Sequence, residues 1–124
     1  MDTAAIEDLF SALGPVSIRR MFGGKGIYFD GVIIAIELND EILLKADADS
    51  APAFAAAGAR QWGYENKAGK PVLMPYWSIP DEALDDPETL ALWVGRAYEA
   101  GRRADARAAK PSSARTRRRS LDGE

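Results

Sequence analysis

Residues 19–31 read RRMFGGKGIYFDG, which places three glycines and a lysine between two segments that carry aromatic residues. A Walker-type phosphate loop needs four residues between its first glycine and its Gly-Lys pair, and a Ser or Thr directly after the lysine. This stretch has neither, and β-branched and aromatic residues follow its last glycine, as is typical of a strand. The pattern therefore favours a structural turn, with a backbone-amide anion site as the alternative.

Short apolar runs separated by turn residues continue from this stretch toward the C-terminus. Asp30-Gly31 stands between two such runs and signals a hairpin, because glycine accepts the positive φ of the favoured tight turns. We predict an antiparallel meander with strands at 19–22, 26–29, 32–38 and 41–45. Alternatively, the first two strands form one bent strand. Residues 32–36 (VIIAI) alternate little, which predicts a central strand with helices on one face and a second apolar surface, most simply that of another copy, on the other.

Apolar spacing and capping residues predict three helices, over 3–13, over 49–58 and from Pro87 through Ala109. Gly14-Pro15 ends the first helix. Asp49 can cap the second helix and Gly58 can end it. Pro111 interferes with the third helix, because proline cannot donate a backbone hydrogen bond.

A second hairpin is predicted from two aromatic runs, 62–67 and 72–77, that flank Ala68-Gly69. Pro71 and Pro75 cannot donate to a strand ladder, so the second run should lie at a sheet edge or be bulged at Pro75. The hairpin brings four aromatic residues close together, as a peptide-binding groove or as ordinary cross-strand core material: Trp62, Tyr64, Tyr76 and Trp77.

The composition excludes several kinds of chemistry. The chain of 124 residues has no cysteine and no histidine, which excludes disulfides, thiolate nucleophiles, the usual zinc sites and histidine proton shuttles. A local acidic group, Asp40, Glu41, Asp47 and Asp49, lacks the spacing of a calcium loop and is better explained by caps and turns than by a cation site. We therefore expect no enzyme activity, no cofactor, no metal and no small-molecule substrate.

No apolar run approaches the roughly 18 residues that a membrane helix needs, and the start Met1-Asp2-Thr3 lacks the basic residues of a secretory signal. We expect a cytoplasmic protein without a membrane partner.

Charge is divided unevenly along the chain. Residues 1–100 carry 8 basic and 16 acidic side chains, whereas residues 101–124 carry 8 basic and 3 acidic ones. This asymmetry predicts one domain over 1–109 followed by a basic disordered tail over 110–124. The C-terminal cations are candidates for contacts with nucleic acid or a partner: Arg102, Arg103, Arg107, Lys110, Arg115, Arg117, Arg118 and Arg119. The alternative is an uncommitted tail in which Glu99 pairs with Arg103 along the helix.

A second basic group lies beside the glycine-rich stretch. Arg19, Arg20 and Lys25 stand next to Phe22 and Tyr28, and this combination is typical of a basic-aromatic surface for nucleic acid. The alternative places both rings in the core and leaves the three charges solvated.

The motif RMFGGKGIY at 20–28 has further matches downstream: Asp30-Gly31-Val32, Leu43–Asp47 (LLKAD), Met74–Pro80 (MPYWSIP) and Leu84-Asp85-Asp86 before a Leu/Trp helix. Together they resemble the N-terminal domain of the TfoX/Sxy family over about residues 3–100. The resemblance implies an α+β fold, a two-layer sandwich with an antiparallel sheet in the order α-β-β-β-α-β-β-α, similar to secretion-chaperone-like domains.

Members of the family are regulators of natural competence that act with a catabolite-activator protein at promoters, and the resemblance implies no catalytic residues. We therefore predict a non-enzymatic regulatory domain linked to transcription, acting through contacts with DNA or with a transcription regulator. We also predict that the chain forms a homodimer. The alternative is a protein- or peptide-binding adaptor of secretion-chaperone-like fold with no nucleic-acid role.

Overall fold

The computed structural model describes residues 1–21 and 23–121, and the side chains of these residues as far as Ala108. Along the chain the elements are α1 (Thr3–Leu9), β1 (Ser17–Met21), β2 (Gly24–Phe29), β3 (Val32–Leu38), β4 (Glu41–Lys45), α2 (Ala51–Ala56), β5 (Gln61–Glu65), β6 (Pro71–Ser78), a 3₁₀ helix (Asp81–Ala83) and α3 (Pro87–Leu121).

The strands form one antiparallel sheet in the order β1-β2-β3-β4-β6-β5. This confirms the predicted α+β class, the antiparallel sheet and the central position of β3. The sheet has one strand more than the order that the resemblance implies, because β1 and β2 are separate. They pair from Ser17 opposite Tyr28 to Met21 opposite Gly24, so the alternative of one bent strand is wrong.

The strand that contains Pro75 is bulged and is not at an edge. β6 lies between β4 and β5, and Gln61 pairs with Trp77 whereas Gly63 pairs with Leu73. β6 therefore has two more residues than β5 across this interval, around the residue that cannot donate a hydrogen bond. The Pro75 carbonyl still accepts a hydrogen bond from the Ala46 N–H at 3.0 Å. The predicted bulge is confirmed, and the alternative of an edge strand is wrong.

The three glycines of the opening stretch have different roles. Gly23 has φ 80° and supplies the turn between β1 and β2. Gly24 and Gly26 lie within β2 and are needed for space: a Cβ at Gly24 would overlap the Glu37 carbonyl oxygen, and one at Gly26 would lie 2.6 Å from the Met21 sulfur. The stretch is thus a turn followed by a closely packed strand.

The main core lies between the helices and one face of the sheet. Ile6 and Phe10 from the α1 region, Phe54 from α2, and Trp93 and Val94 from α3 are buried against strand residues. α1 ends at Leu9, earlier than predicted, although Phe10 and Leu13 still pack on this core. This face is called the helix side below.

The helix ends follow from their capping residues. Ser50, not Asp49, is the N-cap residue of α2, and Gly58 with φ 83° follows its end. Asp86 accepts hydrogen bonds from the Glu88 N–H at 3.2 Å and the Thr89 hydroxyl at 2.6 Å, as expected of a cap at the start of α3.

α3 continues to Leu121 and so passes Ala109, where the sequence predicts its end. Pro111 therefore does not end the helix, although its nitrogen cannot donate the hydrogen bond to the carbonyl four residues earlier. The division into a domain over 1–109 and a disordered tail over 110–124 stays a prediction.

Candidate interaction surface

The second face of the sheet carries its own apolar cluster, to which no helix residue contributes within the described part of the chain. Ile36, Leu43 and Tyr76 are buried there, and five long apolar side chains pack around them: Met21, Ile33, Leu38, Trp62 and Met74. Arg19, Tyr28 and Lys45 lie on the same face by strand alternation. These eleven residues are called the open face.

A bulge in β3 explains why the segment VIIAI alternates so little. Ile27 pairs with Ala35 and Tyr28 pairs with Ile33, so β3 has one extra residue, Ile34, at this point. Ile34 and Ala35 both pack on the helix side, whereas Ile33 and Ile36 face the open side. The apolar run thus supplies both faces of a central strand.

Two cations of the open face are held against tyrosine rings. The Arg19 guanidinium carbon lies 5.0 Å from the centre of the Tyr28 ring, and the Lys45 Nζ lies 5.1 Å from that of Tyr76. Such contacts contribute roughly 0.5–1 kcal/mol at exposed sites. Neither cation forms an ion pair with any residue whose side chain the structure describes.

Burial changes the pKa values of two groups on this face. It lowers the pKa of Lys45, an effect that the nearby Asp47 carboxylate opposes. It also raises the pKa of the Tyr76 hydroxyl, with a smaller contribution from Tyr28. Both shifts show that the polar ends of these side chains have lost part of their contact with water.

The predicted basic-aromatic group at the first hairpin does not form one patch. Arg19 lies on the open face, whereas Arg20 and Lys25 are cross-strand partners on the opposite side of the sheet. There they line a surface pocket with Asp2 and Glu7 of the α1 region, and Lys25 Nζ donates to the Met1 carbonyl at 2.6 Å. Phe22, the other predicted aromatic member, lies outside the described residues.

The first C-terminal cations are engaged within the domain. Arg103 donates from Nε to Asp47 Oδ2 at 2.7 Å and from Nη2 to Asp47 Oδ1 at 3.1 Å. Arg102 pairs with Glu99 at 3.7 Å, so the alternative pairing of Glu99 with Arg103 is wrong. Arg103 pairs with the distant Asp47 because this carboxylate can accept two hydrogen bonds from the guanidinium group.

The remaining C-terminal candidates are only partly visible. Arg107 is exposed on α3. The other five lie outside the described side chains: Lys110, Arg115, Arg117, Arg118 and Arg119.

The four aromatic residues of the predicted groove are divided between the two faces of the sheet. Trp77 packs on the helix side with its ring centre 6.0 Å from that of Phe54. Tyr76 lies on the open face with 8% of its surface exposed, and the Trp62 and Tyr64 ring centres are 5.9 Å apart. Trp77 therefore contributes to the core and not to the surface that Trp62 and Tyr76 share.

The acidic group serves local structure. Asp47 Oδ1 accepts hydrogen bonds from the Asp49 N–H and the Ser50 N–H, both at 3.1 Å, as predicted for a turn. Asp40 pairs with the Met1 amino group, and Glu41 pairs with Arg60 at 2.5 Å. Among the described residues no group of three or more acidic side chains could hold a metal ion.

The model of the TfoX N-terminal domain family matches residues 8–101. The chain belongs to this family. It is a regulatory-type domain family and not a known enzyme family. A search of the curated proteins finds no match to the chain. In the described part of this TfoX N-terminal domain, no helix combines the length and apolar character needed to cross a membrane.

Sequence reasoning found aromatic residues of the open face and predicted a second apolar surface on residues 32–36, which Ile33 and Ile36 form. It did not single out Met21, Leu38 or Met74, nor Lys45 as a member of the same surface. Alternation in β4 is the signal that was available, since Lys45 lies two residues from Leu43 and therefore on the same face.

Proposed function

We propose that this TfoX N-terminal domain is a non-enzymatic regulatory module, linked to transcription, that acts by binding another protein through the open face. One observation carries the proposal: the apolar cluster of this face has no helix packed over it in the described part of the chain. Its three central residues are buried and the five around them are partly exposed, and adjoining apolar side chains that are left partly exposed are typical of protein-binding sites. Met21 and Met74 suit such a surface, because methionine side chains adapt to the shape of a partner.

The distribution of charge favours a protein over duplex DNA as the partner of the folded domain. Arg19 is separated from Arg20 and Lys25 by the sheet, and Arg103 is bound to Asp47. Residues 1–100 are acidic overall, which repels phosphate from most orientations. A transcription regulator is the partner that the family membership suggests, and the homodimer stays a separate prediction.

Complementation tests this function. In a strain that lacks the gene for this protein, we expect a chain with Trp62→Ala and Met74→Ala to fail to restore the wild-type transcript levels of the genes that the protein regulates. The reason is that the partner loses its apolar contacts with the open face. Leu73→Ala is the matched control, since Leu73 is 68% exposed and lies outside the open-face cluster. Circular dichroism must show that all variants fold. Full restoration by the double variant would remove the open face from the function.

A second candidate function, DNA binding by the end of α3, is favoured by the continuation of this helix to Leu121. If about five of its cations contact phosphates, the logarithm of the binding constant should fall with the logarithm of salt concentration with a slope of about −4.5. Fluorescence anisotropy with labelled duplex DNA measures this slope. Gln at Arg115, Arg117, Arg118 and Arg119 should reduce it to about −1, whereas an unchanged slope would place the contact elsewhere.

A further inference from the structure

The open face has an apolar centre between two cations whose positions are fixed. Arg19 lies on β1 and Lys45 on β4, each against a tyrosine ring. Arg19 is level with Leu43 across the sheet, so three strand spacings and two residues along β4 separate it from Lys45, which corresponds to about 16 Å. Ile33 and Ile36 of β3 occupy the space between.

We propose that this face binds an acidic amphipathic segment of the partner protein, with aliphatic side chains on the partly exposed residues Ile33, Leu38 and Met74 and one carboxylate on each of Arg19 and Lys45. The inference rests on the proposed function and adds the chemistry of the partner. Charge complementarity supports it, because the two acidic residues next to Lys45 in sequence on this side are already paired, Glu41 with Arg60 and Asp47 with Arg103. Arg19 and Lys45 form no ion pair with any side chain that the structure describes, so each can pair with a carboxylate of the partner.

A helix satisfies this pattern when it crosses the strands. At a rise of about 1.5 Å per residue, carboxylates that reach both cations are roughly seven to eleven residues apart on one side of the helix. Leucine or isoleucine at helical spacing between them faces the apolar centre. Each carboxylate exchanges part of its water shell for an ion pair at the rim, which contributes to specificity more than to affinity.

Two other occupants fit the face less well. A second copy placed face to face presents the same surface by symmetry, and the carboxylate that β4 places on that surface, Glu41, is already paired with Arg60. Single-stranded nucleic acid needs exposed rings for base stacking. Tyr76 is only 8% exposed, and both tyrosine rings are covered by a cation.

Exchanging the charges on both sides of the interface tests the proposal. The probes are two fluorescein-labelled amphipathic helical peptides that differ only in having Glu or Lys at the two rim positions. We expect the wild-type chain to bind the Glu peptide about tenfold more tightly than the Lys peptide, and the double variant Arg19→Glu/Lys45→Glu to reverse this preference. Lys67→Glu/Lys70→Glu is the matched control, because it makes the same change of net charge at the exposed β5–β6 turn and should keep the wild-type preference.

The outcomes separate this inference from the proposed function. Equal binding of both peptides, still weakened by Trp62→Ala, overturns the acidic chemistry and leaves the open face as a binding surface. Failure of every peptide to bind overturns both. Tighter binding of oligothymidylate, or self-association abolished by the double variant, assigns the face to nucleic acid or to a second copy. The neutral variant Arg19→Gln/Lys45→Gln, which disturbs the fold less, should show no preference between the peptides.

Discussion

Replacing Gly101 with alanine should lower the free energy of unfolding by about 2 kcal/mol, although alanine favours a helix by about 1 kcal/mol over glycine. A Cβ at Gly101 would lie 2.6 Å from the Ile33 carbonyl oxygen and 3.3 Å from Val32 Cγ2. The obstacle is backbone of a central strand, which cannot rotate away as a side chain can. α3 must therefore move off β3, and the packing of Ala97 and Ala100, both fully buried, is lost with it.

Gly95 provides the control within the same helix. A Cβ at Gly95 meets nothing within 4 Å, so Gly95→Ala should raise the free energy of unfolding by about 0.5–1 kcal/mol through helix propensity alone. Urea titration of both variants measures the change in the free energy of unfolding. In thermal unfolding, the Tm of the Gly101 variant should be roughly 10 °C lower than that of the wild type. Equal effects at the two positions would show that α3 does not approach β3 as closely as described.

The elements of this fold are largely readable from local sequence, because their signals lie within a few residues. Pro75 predicts a bulge since it cannot donate a hydrogen bond, and Asp86-Pro87 predicts the start of α3 from capping alone. The separation of β1 from β2 was harder to read. Gly23 makes the turn, but Gly24 and Gly26 look the same in the sequence and act only by having no side chain next to β3 and Met21.

The candidate surface was less predictable, because it depends on which face each side chain takes and on partners that are distant in sequence. Arg19 and Arg20 are adjacent in the chain and yet lie on opposite faces of the sheet. Trp77 and Tyr76 are divided in the same way. Arg103 suggested a phosphate contact while its partner Asp47 is 56 residues away.

The close approach of α3 to β3 also explains why the described helices cover only one face of the sheet. The small residues Ala97, Ala100 and Gly101 let this helix lie against β3 on the helix side, where α1 and α2 complete the layer. The described helices are thereby committed to a single core. In the part of the chain that the structure describes, the apolar residues of the opposite face pack on one another and on no helix.

Removing the charge of Asp47 should lower the free energy of unfolding by about 2 kcal/mol at pH 7, because a nearly buried charged acceptor is lost. The Asp47 side chain is 9% exposed, and the paired Arg103 side chain is 36% exposed. Asp47→Asn keeps an oxygen for the Ser50 N–H but cannot form the ion pair that joins α3 to the loop before α2. Asp49→Asn is the control: Asp49 is also near Arg103, at 3.4 Å, but is 64% exposed, so its loss should cost less than about 0.5 kcal/mol.

The contribution of Asp47 to stability should decrease in acid. Hydrogen bonds from Arg103 hold the pKa of Asp47 well below its ordinary value, with Ser50 adding to the effect. A carboxyl group whose pKa is lower in the folded state than in the unfolded state stabilises the protein above the unfolded pKa of about 3.9. This stabilisation is lost as the pH falls below that value toward the folded pKa. Urea titrations at pH 7, 4 and 2.5 should therefore show the difference between wild type and Asp47→Asn becoming smaller below the unfolded pKa, without vanishing while the pH stays above the folded pKa, and a constant difference would mean that the ion pair is not its source.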